Sequence, residues 1–167
     1  MKTLLLALFL SLFSYRVNAT PTFNFDFSLD RSSFSTEDAN GNETDGDSFD
    51  KFYSFAVLFG EGIQYGVFYH LEDYDNSTKR SLFGAMVTLG DRFFLDLGAG
   101  QYKTDQGFIS SETGLGFILR PGVQFQTGSS TFIRASIPYF YGSAENDNGF
   151  KISRSSLRPY VGFGLSF

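Results

Sequence analysis

The sequence predicts an all-β fold, an eight-stranded antiparallel up-and-down β-barrel, and three observations predict it. Apolar side chains alternate with polar or small ones in eight separate runs. Three-residue turns alternate with longer polar loops between those runs. No window after the first 19 residues sustains a 3.6-residue apolar stripe, so the period is that of strands throughout.

The first run is Phe23, Phe25, Phe27, Leu29, and the second Tyr53, Phe55, Val57, Phe59. The third is Ile63, Tyr65, Val67, Tyr69, Leu71, followed by Phe83, Ala85, Val87, Leu89 and then Phe93, Leu95, Leu97, Ala99. The sixth covers Leu115 to Phe125, the seventh Ile133 to Tyr141, and the last Leu157 to Phe167. Every apolar position in these runs is odd-numbered. The even positions between them hold charges, amides and many glycines, so each strand has one apolar face and one polar, small face. The turns Gly60-Glu61-Gly62, Gly90-Asp91-Arg92 and Thr127-Gly128-Ser129 would set Phe59 against Ile63, Leu89 against Phe93 and Gln126 against Ser130, like face to like. The other connections, around residues 31–50, 73–80, 103–111 and 142–152, read as long polar loops. Pro121, Pro138 and Pro159 fall inside strands and each removes a ladder donor, so bulges are expected there.

Residues 1–19 have a basic start, an apolar stretch and small residues at Val17-Asn18-Ala19, the pattern of a secretory signal peptide cleaved after Ala19. The remaining domain, residues 20–167, keeps 11 of the 13 basic residues and all 18 acidic ones. That acidity argues against a nucleic-acid partner. With no cysteine and a single histidine, thiolate chemistry and multi-histidine metal sites are excluded, and no cofactor or metal is expected.

Which face of the strands is inside decides the environment. Eight strands enclose a space that side chains only just fill, so the whole apolar set, rich in Phe and Tyr, would overfill it. The reverse assignment puts that face against lipid and predicts a transmembrane barrel. Aromatic side chains at the strand ends fit the girdles of such barrels: Phe23, Phe59, Phe93, Phe125 and Phe167 at the short-turn end, and Tyr53, Tyr69, Tyr139 and Tyr141 towards the other.

The terminal run from Arg158 to Phe167, RPYVGFGLSF, resembles the last strand of bacterial outer-membrane barrels, with Tyr160, Phe163, Leu165 and Phe167 as its assembly signal. Together with the eight runs it makes the whole domain similar to the small OmpA/OmpX-type barrels. That resemblance implies a place in the outer membrane of a Gram-negative bacterium, contact with outer-membrane lipid and lipopolysaccharide, and recognition by the barrel-assembly machinery. It implies a non-enzymatic, membrane-stabilising or surface-interaction role, with any surface partner unnamed by the loops.

Inside, Asp26, Asp96 and Glu112 are expected to neutralise Arg120, Arg134 and Arg158 as a polar network plugging the lumen. A narrow, porin-like channel in which the arginines select anions is the alternative, supported by the lumen glycines. A lipid A-modifying enzyme is the second. Its one candidate base is His70, with Glu72 on the same face; Phe52 is expected opposite His70, with no serine in hydrogen-bond reach. The acidic stretch from Thr36 to Ser48 is expected to be a solvated loop, since it departs from the calcium-loop template.

Overall fold

The computed structural model describes residues 21–37, 43–74, 78–106, 112–145 and 151–167, the backbone alone at 30–37, 43–49, 106, 112, 145, 151–152 and 154. The signal-peptide segment lies outside these residues. The strands are β1 (Pro21–Glu37), β2 (Glu43–Phe59), β3 (Ile63–Asp73), β4 (Thr78–Leu89), β5 (Phe93–Gln106) and β6 (Glu112–Gln126). They are followed by β7 (Thr131–Ser136), β8 (Tyr139–Glu145), β9 (Lys151–Leu157) and β10 (Tyr160–Ser166). Each of the last two staves of the barrel is two strands in line. β7 and β8 both pair with β6, and β9 and β10 continue one another beside them. β10 pairs with β1, so eight antiparallel staves close on themselves.

The alternation read from the sequence is the alternation of the wall. Even positions from Thr22 to Asp26, Asp50 to Leu58, and Phe68 to Glu72 are buried, whereas their odd neighbours are half-buried or exposed. Phe93 is 73% exposed, Leu115 78% and Phe167 64%, yet Arg120 and Arg134 are both 0% exposed. The molecule is inside-out, with a belt of large apolar side chains on the outer surface and charged ones buried within. Outward-facing Lys51, Asp73, Lys79 and Asp105 are neighbours across β2 to β5 and end the apolar belt at the long-loop side. From Ile63 to Leu71 the belt is nine residues tall on β3, the length a tilted strand needs to cross a bilayer's apolar core.

Three sequence expectations need correction. Phe59 pairs with Tyr65, Leu89 with Leu95 and Gln126 with Phe132, so each short hairpin is two residues looser than the turn count suggested. Parity survives a shift of two, and like faces still meet. Gly62 (φ 71°) and Gly90 (φ 84°) supply the left-handed residues that the first two of these turns require. Next, the polar stretch between the first two runs is largely strand: β1 and β2 stay paired up to Glu37 and Glu43. Only its tip, residues 38–42, lies outside the described residues. Finally, Pro138 and Pro159 mark gaps, not bulges, and β6 runs through Pro121 in one register with β5. β6 keeps one register with β7 and β8 on either side of Pro138, and β7–β10 and β8–β9 keep one register on either side of Pro159. A missing N–H costs these ladders bonds without changing alignment.

Candidate functional site

The barrel interior is layered, and its middle layer is ionic. Asp96 on β5 accepts hydrogen bonds from Arg120 Nε at 2.7 Å, from Arg134 Nη2 at 2.8 Å and from Thr88 Oγ1 at 2.6 Å. Asp26 on β1 accepts from Arg120 Nη1 at 2.6 Å, and Arg134 Nη1 lies 3.6 Å from the same oxygen. Ser54 Oγ also accepts from Arg120 Nη1, at 2.9 Å. Arg134 in addition stacks its guanidinium 4.0 Å over the Phe94 ring. Two acids and two bases from four different staves meet across the lumen, with none more than 1% exposed.

The two other members expected in that network are elsewhere. Arg158 sits nearer the long-loop end, its guanidinium 4.3 Å over the Phe52 ring. Glu112 starts β6, and its side chain lies outside the described residues. In the terminal run, Phe163, Leu165 and Phe167 face outward. Tyr160 is even-numbered and points inward, 3% exposed, its ring 5.8 Å from that of His70.

Beyond the ionic layer, towards the long loops, the lumen is apolar. Phe68, Leu82, Met86, Tyr102, Ile118 and Phe140 are buried there in one cluster. Several of the lumen glycines, which supported the channel alternative, are covered by these and other side chains. A Cβ on Gly98 would stand 2.7 Å from Phe68 Cε1 and 2.8 Å from Ile118 Cγ2. Gly122, Gly142 and Gly164 abut Phe94, Tyr102 and Phe132 in the same way. Bulky side chains at even positions facing glycines are the signal that sequence reading passed over. Gly98→Val is therefore expected to destabilise the barrel by about 1–3 kcal/mol through overpacking, as read by urea unfolding in lipid vesicles.

A third layer lies near the outer edge of the belt. Glu72 on β3 accepts from Tyr74 OH at 3.0 Å, from Arg80 Nη1 at 3.4 Å and from Ser156 Oγ. Arg80 Nη1 also donates to Tyr74 OH at 3.1 Å. Burial and the Glu72 carboxylate push the Tyr74 phenol up to about 12, so it stays a hydroxyl donor at any physiological pH. His70 Nε2 is 3.8 Å from Glu72 Oε1, too far for a hydrogen bond, and its ring packs between Phe140 at 5.1 Å and Tyr160.

The residue across from His70 is Ser54, not Phe52, because of the two-residue change in register. Ser54 nevertheless serves Arg120, and Ser156 serves Glu72. Neither histidine nitrogen holds a serine hydroxyl, the contact a histidine-activated nucleophile requires. No group of three metal-ligating side chains is gathered among the described residues.

No protein-family model matches the sequence, and no curated protein does. Among solved structures, Neisserial surface protein A aligns over 89% of this chain and 97% of its own at 17% identity, with a TM-score of 0.56. The attachment invasion locus protein of Yersinia pestis, crystallised with the heparin analogue sucrose octasulfate, aligns over 90% and 100% at 18% identity. Its TM-score of 0.39 is too low to carry weight. What the first likeness shows is shared architecture. The chain has the fold of the small eight-stranded outer-membrane β-barrels.

Proposed function

We propose that the protein is an integral outer-membrane barrel with a closed lumen and a non-enzymatic role, stabilising the membrane or interacting at the cell surface. The inside-out distribution of its side chains carries this reading: a belt of exposed Phe, Leu, Val and Tyr surrounds fully buried arginines and aspartates. In water that belt would be a contiguous apolar surface far larger than a soluble monomer tolerates. In a bilayer it is the lipid-facing band, bounded by charge at one end and aromatic rings at both.

Closure of the lumen favours this role over conduction. An ion would have to displace both the four-residue ionic layer and the apolar layer beside it. The refolded protein is expected to need detergent, to migrate on gels differently before and after heating, and to leave planar bilayers electrically silent once inserted. Discrete openings would return the reading to the narrow channel. A lipid A-modifying activity is opposed by the lack of any hydrogen bond between His70 and a serine hydroxyl. It would be reinstated by a lipid A acylation change in a deletion strain that a His70→Ala copy failed to complement.

A further inference from the structure

The barrel wall is incomplete at one place. β10 pairs with β1 from Thr22–Ser166 to Phe27–Val161 and then stops. The same register continued would set Ser28 against Tyr160 and Leu29 against Pro159. Instead, β1 goes on with β2 alone and β9 is paired with β8 alone among the described residues. Pro159 stands at the break, without the N–H that would bond across it.

A cavity of 420 Å³ occupies this gap. It is lined by Ser28, Tyr74, Ser156 and Arg158, which belong to the inner face, and by Leu29 and Leu157, which belong to the outer. Residues of opposite faces of one wall can border a single cavity only where it passes through the wall. Leu29 pairs with Lys51, so the opening lies at the charged row that ends the apolar belt, at the depth of lipid headgroups. Its outer lips carry Leu29 at 64% and Leu157 at 65% exposed beside Ser155 and Pro159, and its inner side offers the Arg158 guanidinium and the Ser28 hydroxyl, those of Ser156 and Tyr74 being given to Glu72.

We infer that this lateral opening is a binding site for one membrane lipid with an anionic phosphate headgroup. The phosphate would meet Arg158 and the Ser28 hydroxyl, while an acyl chain would leave between Leu29 and Leu157 into the bilayer. The guanidinium's five donors let it take a phosphate in addition to its existing contacts. Glu72, an acid close to this cavity, already holds Ser156, Tyr74 and Arg80, so its charge is compensated. A lipid there would also cover the backbone groups left without a partner strand, which bare hydrocarbon would not satisfy. The inference rests on the membrane reading above.

The chain has no tryptophan, so a single one introduced at the opening is a clean reporter. Leu157→Trp, with Leu97→Trp on β5 as the control, would be refolded into phosphatidylcholine vesicles holding a minor fraction of brominated phosphatidylglycerol. A parallel series would hold the same fraction of brominated phosphatidylcholine. At residue 157 the anionic lipid should associate about two- to tenfold more strongly than the zwitterionic one, the net worth of one ordinary hydrogen bond. At residue 97 the two should quench alike. Arg158→Gln should remove the preference, and Ser28→Phe, which fills the cavity and leaves Arg158 in place, should do the same if the first variant fails to fold.

Equal quenching at residue 157, an equal preference at both positions, or a preference that survives these substitutions overturns the site. Loss of the preference in excess inorganic phosphate would assign it to a free anion and overturn the lipid. Failure of brominated phosphatidylcholine to quench at residue 97 would instead defeat the membrane reading itself.

Discussion

Asp96→Ala is expected to lower the unfolding free energy by about 3–5 kcal/mol, the cost of removing one partner from a buried ion pair. One carboxylate here holds Arg120, Arg134 and Thr88 at 2.6–2.8 Å. Alanine would leave two guanidiniums, each 0% exposed, facing the single charge of Asp26. Equilibrium urea unfolding in lipid vesicles, followed by circular dichroism, measures the loss. Replacing the acid and a base together, as in Asp96→Leu with Arg120→Met, should cost less than the two single changes summed, because neither leaves the other uncompensated. A loss under about 1 kcal/mol for Asp96→Ala would mean that the network is hydrated and not a seal. The variant should still be silent in planar bilayers, since Phe68, Ile118 and Phe140 block the lumen in a separate layer.

Val67→Arg is expected to cost about 2–4 kcal/mol, and Leu71→Arg only about 0–1 kcal/mol, following the depth dependence of charge on a lipid-facing wall. Val67 is midway along the belt on β3 and 43% exposed, whereas Leu71 is next but one to Asp73 in the charged row. In water the first of these would be a surface substitution of almost no consequence. The same unfolding experiment thus tests the environment of the wall, and equal, small losses at both positions would remove the barrel from the membrane.

The alternating faces were fully legible because a strand's side chains switch faces at every residue, so Phe93 and Leu95 cannot share a side with Phe94 and Asp96. Exact register was not legible. Parity is blind to a shift of two, and nothing in Gly60-Glu61-Gly62 tells a three-residue turn from a looser one. The paired arms between Asp30 and Asp50 were also hidden, since polar side chains on both faces leave no alternation to see. For the interior, the even-numbered charges named Asp26, Asp96, Arg120 and Arg134. Their heights in the barrel depend on tilt and stagger, which separated Arg158 from them and brought Ser156 to Glu72 from staves far apart in sequence.

The six residue pairs between β1 and β10 have a kinetic consequence. Every other stave is joined to its predecessor by a hairpin, whose ends meet quickly, whereas this seam joins the two ends of the domain and carries the largest loop-closure entropy. It is therefore the last contact to form and the first to open. Until then β10 presents Phe163, Leu165 and Phe167 on a strand with one free edge, and the rings that fasten the finished seam, Phe25 on Phe163 at 5.6 Å and Phe23 on Phe167 at 5.8 Å, are still apart. Amide exchange should accordingly be fastest, among the lipid-embedded ladders, along Thr22–Phe27 and Val161–Ser166.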